Sequence, residues 1–305
     1  MINLAKKTYR LFGIAASVAN HPLNRKHKIR ALLRWISLIL SSRLTPTRQI
    51  VVPYVGGSIL NWPNESSSVT ICARYGLGEY ADMAFLLHVL RGDDLFCDIG
   101  ANAGVYTVLA GKAVGCNVVA IEPIPNTFDL LMQNVYANHI AGKVDGRNLG
   151  VGGEVSKLNF TSDLWSFNHV VEAAGDGTIS VDVLPLDTIL DSRIPYAIKM
   201  DVEGFEEQVI LGGSKTFSNT ALQAVVVEIW DEHLARYDGS AKNVLEALQR
   251  SGLSGPFWYD PENRELIPPG QQEKQKYNQI FVRDVDATMA RIKGSPAYEV
   301  NGAHV

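Results

Sequence analysis

The first 64 residues contain no aspartate and no glutamate, although they contain ten lysine and arginine residues. The chain of 305 residues has a net charge of −4, so the residues after 64 carry −14, the difference between −4 and +10. A basic segment in front of an acidic one indicates a separate electrostatic unit. We therefore predict a basic, partly helical extension over residues 1–64 and a second domain over residues 65–305, with a linker or short irregular strands over residues 45–68.

Cysteine is scarce, and long apolar runs are missing. Cys72, Cys97 and Cys116 are widely spaced and lie mostly in apolar runs, which predicts buried reduced thiols and argues against a disulfide framework or a cysteine metal site. No run approaches the roughly 20 apolar residues needed to cross a bilayer. A signal peptide is disfavoured because the apolar stretch after Lys6 and Lys7 is short and leads into more basic residues. These features predict that the protein is located in the cytoplasm.

One part of the extension has the pattern of a basic amphipathic helix, with apolar side chains at helical spacing between residues 29 and 40 and Arg30 and Arg34 on another face. Two interpretations are open. The helix could lie on anionic lipid at the inner face of the membrane. It could instead dock on the second domain or in a homo-oligomer interface, and we favour the docked helix.

A strand, a glycine loop and a helix follow one another from residue 95. The apolar run 95–99 is interrupted by Asp98, Gly100 and Gly104 bracket a tight turn, and a helical pattern comes next. Glycines let a ligand approach the backbone in such a unit. The middle glycine of a dinucleotide fingerprint is replaced by Asn102, and the carboxylate of Asp98 repels phosphate, so a dinucleotide is disfavoured. A ligand with an ammonium group suits this loop better.

Residues 117–123 predict a second strand that ends in Glu122. An acid at this place in nucleotide-binding folds holds the ribose hydroxyls. Together with Asp98 and the glycine loop, Glu122 predicts a site for S-adenosylmethionine. The alternative is a glycine turn without a ligand, which is common in α/β proteins, but two carboxylates at strand ends argue against it.

Acidic residues also follow the fourth and fifth predicted strands. Asp201 and Glu203 follow residues 196–200, and Glu228 lies at the end of the next apolar strand. Ligands of open α/β sheets lie beyond the carboxyl ends of the strands, so we expect Asp201 and Glu203 to face the same crevice as Asp98 and Glu122. Asp201 could instead cap a helix predicted over residues 203–211. A divalent cation held by the two acids is a further alternative, but neither a histidine nor a third clear acid lies nearby in sequence, and we predict no metal site.

Three blocks of the sequence, Phe96 to Thr107, Val119 to Pro123 and Ile198 to Gly204, resemble in that order the FkbM family of methyltransferases. The resemblance runs from about residue 75 to 282. It implies a class I, Rossmann-like α/β fold with a seven-stranded, mostly parallel sheet and helices on both faces. It also implies transfer of a methyl group from S-adenosylmethionine to a hydroxyl of a sugar, a glycan or a secondary metabolite. The cofactor-binding residues that we predict are Asp98, Gly100, Ala101, Asn102, Gly104, Glu122, Pro123 and Asn148. The resemblance implies that Asn148 borders the adenine.

Residues 157–187 resemble the β-rich insertion that, in this family, lies over the cofactor and faces the acceptor. Trp165, Phe167 and His169 are candidates for an acceptor pocket, although ordinary loop packing explains them equally well. Methyl transfer needs alignment of the reactants and a base for the hydroxyl proton. We predict the pair Asp201 and Glu203 as catalytic residues first, and His169 second.

Two alternatives lie outside this class of enzyme: a Rossmann-like nucleotide-binding oxidoreductase, and a non-catalytic, membrane-associated binding module. Asn102 and Asp98 argue against the first. The intact cofactor set argues against a degenerate cofactor site in the second, but not against a degenerate acceptor site. Nucleic acid is not expected as a partner, because the second domain is acidic and no aromatic base-reading motif is evident. Residues 295–305 are expected to fray.

Overall fold

A computed structural model describes residues 12–44, 50–63, 67–162, 168–171, 173–270 and 277–305. The elements before the main sheet are α1 (residues 12–20), α2 (Lys28–Leu44), β1 (Ile50–Pro53), β2 (Ile59–Trp62), α3 (Ser67–Tyr75) and α4 (Tyr80–Val89). The first half of the sheet region contains β3 (Leu95–Ile99), α5 (Val105–Val108, continued by a π-helix over Leu109–Val114), β4 (Asn117–Ile121), α6 (Pro125–Ala137) and β5 (Val144–Arg147).

An insertion separates the two halves of the sheet region. It contains β6 (Gly150–Gly152), β7 (Ser156–Thr161), β8 (Val170–Val171), β9 (Thr178–Pro185) and α7 (Leu186–Leu190). The second half contains β10 (Ala197–Met200), α8 (Glu206–Gly212), α9 (Ser214–Ser218), β11 (Ala224–Glu228), α10 (Asp231–Leu234), α11 (Ala241–Arg250), β12 (Ser254–Asp260), β13 (Glu265–Ile267), β14 (Asn278–Val282), α12 (Val285–Lys293), β15 (Glu299–Val300) and β16 (Ala303–His304).

The main sheet has eight strands in the order β13-β12-β14-β11-β10-β3-β4-β5. The five strands from β11 to β5 are parallel, and β14 runs antiparallel to β11. The predicted α/β fold is therefore confirmed, with one strand more than the seven predicted, because the short edge strand β13 pairs with β12.

Helices cover both faces of the sheet, and the strand sequences explain why. Successive side chains of a strand point to opposite faces. Phe96 of β3 and Val118 of β4 accordingly belong to one hydrophobic core, and Cys97 and Val119 to the other. Strands buried on both faces need continuous apolar runs. Among the described residues, all three cysteines are buried free thiols, as predicted.

The insertion forms a second sheet of four strands in the order β6-β9-β7-β8. It packs through Phe160, Val181 and Val183 against Ile124, which follows β4. The segment 144–151 is divided between the two sheets, because β5 ends at residue 147 and β6 pairs with β9 in the second sheet. Trp165 and Phe167, predicted for the acceptor pocket, lie outside the described residues.

The strands β1 and β2 form an antiparallel hairpin in the segment that we predicted as a linker or short strands. Leu60 is fully buried in the core that covers one face of the main sheet. The Asn134 side chain of α6 accepts a hydrogen bond from the Asn61 N–H at 2.7 Å. This shared packing argues that the hairpin belongs with the sheet, and the division at residue 64 stays a prediction.

The basic helix α2, Lys28–Leu44, includes residues 29–40, whose apolar periodicity indicated a helix, and extends beyond them at both ends. It buries Ala31 and Trp35 in a small cluster with Val18 of α1. Other apolar side chains of α2 are exposed, among them Leu33 at 62% and Leu40 at 52%. None of the helices in the described part of the chain is both long and apolar enough to cross a membrane.

The expectation that residues 295–305 fray is wrong. The strands β15 and β16 pair with each other, and Tyr298 and Val305 exchange backbone hydrogen bonds of 2.8 and 3.0 Å. Val300 is fully buried. An apolar side chain that fills the main core outweighs the weak local signal of a short terminal segment.

Candidate active site

A cavity of about 320 Å³ opens at the carboxyl ends of β3, β4, β10 and β11. Open α/β sheets bind ligands at this edge, and the volume lies within the range of small-molecule sites. The cavity brings together most of the residues predicted from sequence. Those that line it are Asp98, Gly100, Ala101, Asn102, Glu122, Pro123, Asp201 and Glu203.

The glycine loop is shaped by its contact with the turn after β10. Gly100 has a φ of +77°, and a Cβ atom at this position would lie 1.8 Å from the Asp201 carbonyl oxygen. Only glycine fits such a contact, and only glycine adopts this φ at no steric cost. Gly100 therefore sets the distance between the glycine loop and the backbone of Asp201.

The N–H groups of the loop are already used within the protein. Gly100 and Ala101 donate to the Ile121 carbonyl at 3.0 and 2.9 Å, and Asn102 donates to Glu122 Oε2 at 2.9 Å. A pyrophosphate needs free N–H donors at such a loop. These three groups offer none, which strengthens the argument against a dinucleotide.

Glu122 and Asp98 are buried carboxyl groups whose oxygens can each accept further hydrogen bonds. Glu122 accepts the N–H groups of Asn102 and Ile124, one on each oxygen, and Asp98 accepts the Thr107 hydroxyl at 2.6 Å. Burial raises the pKa of Glu122 to about 7 and that of Asp98 to about 6. A carboxylate has about four lone-pair sites, so both groups can still accept hydrogen bonds from a ligand.

The opposite wall of the cavity carries Asp201, Glu203 and Glu228. Lys199 Nζ lies 3.3 Å from Asp201 Oδ2, and its side chain is almost fully buried. Burial alone lowers the pKa of Lys199, but the surrounding carboxylates, Asp201 first, raise it above its ordinary value. Burial and the Asp201 charge raise the pKa of Glu203 to about 8 and hold that of Glu228 well above its usual range.

The helix that we expected over residues 203–211 begins instead at Glu206. Glu203 has a φ of +56°, and the Glu206 carboxylate accepts the N–H groups of Val202 and Gly204 at 3.2 and 3.3 Å. The alternative role of Asp201 as the cap of this helix is therefore wrong, because Glu206 binds the turn.

Three predicted site residues do not line the cavity. Gly104 supports the loop with a φ of +78°. The Asn148 side chain donates to the carbonyls of Glu122 and Pro123 at 2.9 and 3.1 Å, while its neighbour Leu149 lines the cavity. His169 pairs with Thr161 through the backbone beside the cavity.

Some lining residues were missed from sequence. Lys199 is one of them, and a lysine inside the apolar run of β10 was a usable signal. Glu79, which accepts the Tyr106 hydroxyl, is another. His233, on α10, lies next to Glu203, with 3.0 Å between Nδ1 and Oε2. Nothing in the local sequence of α10 indicates this contact.

The chain is similar to the hexuronic acid methyltransferase AglP of Haloferax volcanii. The two are 26% identical over 230 residues, which cover 74% of this chain and 90% of that protein. Among solved structures, a methyltransferase from Pyrococcus furiosus has a TM-score of 0.40 at 15% identity, covering 83% of this chain and 98% of its own. A TehB-like S-adenosylmethionine-dependent methyltransferase from Corynebacterium glutamicum has a TM-score of 0.40 at 15% identity, covering 71% and 94%. Likeness at these TM-scores carries no conclusion about activity.

The model of the methyltransferase FkbM domain matches residues 98–252, which is 155 of the 305 residues. The match begins at Asp98 and includes Glu122, Asp201 and Glu228, four of the acids that line the cavity. It confirms the resemblance drawn from the sequence, and it gives the oxidoreductase and binding-module alternatives no support. The chain belongs to the FkbM family of methyltransferases.

Proposed function

We propose that the protein transfers the methyl group of S-adenosylmethionine to a hydroxyl of a sugar or glycan. Family and fold imply this cofactor. The observation that carries the proposal is the meeting of Asp98, Glu122 and the glycine loop on one side of a single cavity, with Asp201, Glu203 and Glu228 on the other. One side suits the cofactor, and the other suits an acceptor with hydroxyl groups.

On the cofactor side, we assign the ammonium group to Asp98 and the ribose hydroxyls to Glu122. Both carboxyls are at most 5% exposed and keep free acceptor sites. Hydrogen bonds to charged groups contribute about 1.5–3 kcal/mol each. The positive charge of the sulfonium also suits this cavity, since the Asp98 carboxyl that lines it has a pKa of about 6 and is ionised at neutral pH.

On the acceptor side, we assign the general base to Asp201. The acceptor oxygen attacks the methyl carbon, the carbon–sulfur bond breaks with its electron pair left on sulfur, and the hydroxyl proton passes to the base. The pKa of Glu203 is about 8, so this group keeps its own proton at neutral pH. Asp201 is the more exposed of the two, at 30% against 12% of the side chain. His169 does not line the cavity, which makes it the weaker candidate.

The name of the relative AglP supports a sugar as the acceptor class, and a uronic acid is the first acceptor to test. Purified protein would be titrated calorimetrically with S-adenosylmethionine, S-adenosylhomocysteine and NAD. We expect binding of the first two, and at least about a 10-fold loss in Glu122→Gln from one weakened charged hydrogen bond. Glu154→Gln, an exposed acid outside the cavity, is the matched control. Binding of NAD alone, or of no ligand, would refute the cofactor assignment.

Transfer itself is measured with methyl-labelled cofactor and a panel of uronic acids and neutral hexoses. We expect label in a base-stable ether, since an oxygen of a hydroxyl is the acceptor. Label in a base-labile ester would place the methyl on the carboxylate and contradict the proposal. Asp201→Asn is the variant that separates transfer from cofactor binding.

We also propose that α2 touches an anionic membrane surface while it docks on the domain. Its exposed apolar residues Ile29, Leu33, Ile36, Leu40 and Leu44 recur at helical spacing beside basic side chains. Vesicles with phosphatidylserine should retain the wild type better than the Leu33→Ser, Leu40→Ser double variant. Val155→Ser, at an equally exposed apolar site elsewhere, should have no effect. Equal retention of all three proteins by the vesicles would contradict membrane contact, and docking on the domain would then be the role of α2.

A further inference from the structure

A group of three metal-ligand side chains lies at the acceptor side of the cavity. Glu203, Glu228 and His233 each present one ligand atom, and these atoms lie within 4.8 Å of one another. The three residues come from the turn after β10, the end of β11 and the helix α10. The sequence separates them by up to 30 positions, which is why no metal-ligand spacing was visible in it.

The geometry of the pair formed by His233 and Glu203 indicates that both side chains can bind the same ion. His233 Nδ1 lies 3.0 Å from Glu203 Oε2, yet neither atom has a hydrogen-bond partner among the residues that the structure describes. Both side chains are nearly buried, at 8% and 12% exposed. Two neighbouring donors at about 2.1 Å from one ion in octahedral coordination are about 3.0 Å apart. The separation therefore fits two donors of a single coordination sphere.

The surrounding structure holds His233 in place. The Trp230 ring stacks on the imidazole with 4.0 Å between ring centroids, and Tyr277 stacks on Trp230 at 4.5 Å. Gly204 brings the two elements together, because a Cβ atom at this position would lie 2.2 Å from the His233 carbonyl oxygen. A site whose ligands are fixed by packing in this way binds an ion with little reorganisation.

The acidic side chains at this wall also favour the binding of a cation. Lys199 is paired with Asp201. Within the described residues, His233 is the only basic side chain at ion-pair distance from Glu203, and Glu228 has none. Buried acids without such a partner stay protonated, and a bound metal ion takes the place of the proton. A proton shared between Glu228 and Asp201 is the competing account, and it predicts no affinity for metal.

We propose that Glu203, Glu228 and His233 form a binding site for a divalent cation of the Mn²⁺ type. An imidazole nitrogen suits first-row transition metals, and carboxylate oxygens suit Mg²⁺ and Mn²⁺, so the mixed set favours Mn²⁺ over Mg²⁺ or Ca²⁺. Open positions of the ion would face the cavity that Glu203 and Glu228 line. An acceptor oxygen bound there would be oriented and would lose its proton more readily. This role, but not the site itself, rests on the proposed function.

The site is tested with full-length protein that has been stripped of metal by a chelator and dialysed. Mn²⁺ is titrated in, and free Mn²⁺ is measured by electron paramagnetic resonance with neither cofactor nor acceptor present. We expect one bound Mn²⁺ per chain at micromolar concentration. Glu228→Gln and His233→Asn should each weaken binding by about 100-fold or more, since loss of a ligand exceeds the effect of losing a supporting residue. Glu154→Gln, an exposed acid outside the cavity, is the control and should bind as the wild type does.

Thermal unfolding of each variant shows whether it is folded, and Glu203→Gln replaces any variant that is not. The proposal is overturned if the wild type binds no Mn²⁺ at millimolar concentration, or if the folded ligand variants bind it unchanged. Calorimetry with S-adenosylmethionine on the same samples separates the two proposals. Mn²⁺ binding without cofactor binding would support the metal site and refute the methyltransferase assignments. Cofactor binding without Mn²⁺ binding would support those assignments and refute the metal site.

Discussion

Replacing Gly100 by alanine tests the contact that joins the two sides of the cavity. The new Cβ would lie 1.8 Å from the Asp201 carbonyl oxygen. Since a carbon and a carbonyl oxygen normally stay about 3.3 Å apart, the loop and the turn would have to separate by about 1.5 Å. Overpacking costs about 1–3 kcal/mol, and a left-handed residue with a Cβ costs about 1–2 kcal/mol more. We expect the free energy of unfolding to fall by about 2–5 kcal/mol.

Urea unfolding of the wild type and of Gly100→Ala, both without cofactor, measures this change. Gly142→Ala is the matched control, because a Cβ atom there meets no atom within 4 Å, and it should change stability by less than about 1 kcal/mol. Calorimetry should also show weaker cofactor binding by Gly100→Ala, since the loop moves away from Asp201. A stability of Gly100→Ala within about 1 kcal/mol of the wild type would refute the close approach.

Three further predictions concern the remaining groups of the site and its support. Asp201→Asn should leave cofactor affinity unchanged and lower turnover by about 100-fold or more in single-turnover kinetics; unchanged turnover would move the base elsewhere. Asn134→Ala should cost about 2–4 kcal/mol in urea unfolding, because it leaves the buried Asn61 N–H and Ala103 carbonyl without their partners; a change below about 1 kcal/mol would contradict that role. Burial raises the pKa of Glu206 to about 7, so between about pH 4.5 and 7 the folded protein keeps a proton that the unfolded chain has lost, and its stability falls as pH rises. Glu206→Gln should remove up to about 3 kcal/mol of that fall, and an unchanged pH profile would show that Glu206 is not its source.

The strand ends could be predicted from the sequence because each is a short apolar run with an acid at or next to its carboxyl end. Asp98, Glu122 and Asp201 meet in one cavity for the reason used in the prediction, since parallel strands bring their carboxyl ends to one edge. This inference needs only strand direction. It does not depend on the register of the strand pairs or on the conformation of the loops.

The parts that could not be predicted depend on contacts between segments far apart in the chain. His233 reaches Glu203 because Gly204 allows the two backbones to touch, and no local pattern contains that contact. Asn148 turns towards the carbonyls of Glu122 and Pro123, a hydrogen-bond choice that depends on the fold of the loop after β4. The helix start at Glu206 likewise depends on which carboxylate reaches the N–H groups of the turn.

The acidic cavity wall affects the spent cofactor differently from the fresh one. The sulfonium of S-adenosylmethionine carries a positive charge, and S-adenosylhomocysteine, after the methyl has left, has a neutral thioether at the same place. Because the Asp98 carboxyl has a pKa of about 6 and is ionised at neutral pH, the cavity attracts the positively charged reactant more strongly than the neutral product. Loss of that attraction at the moment of transfer favours product release, so we expect weak product inhibition that grows stronger as salt screens the wall.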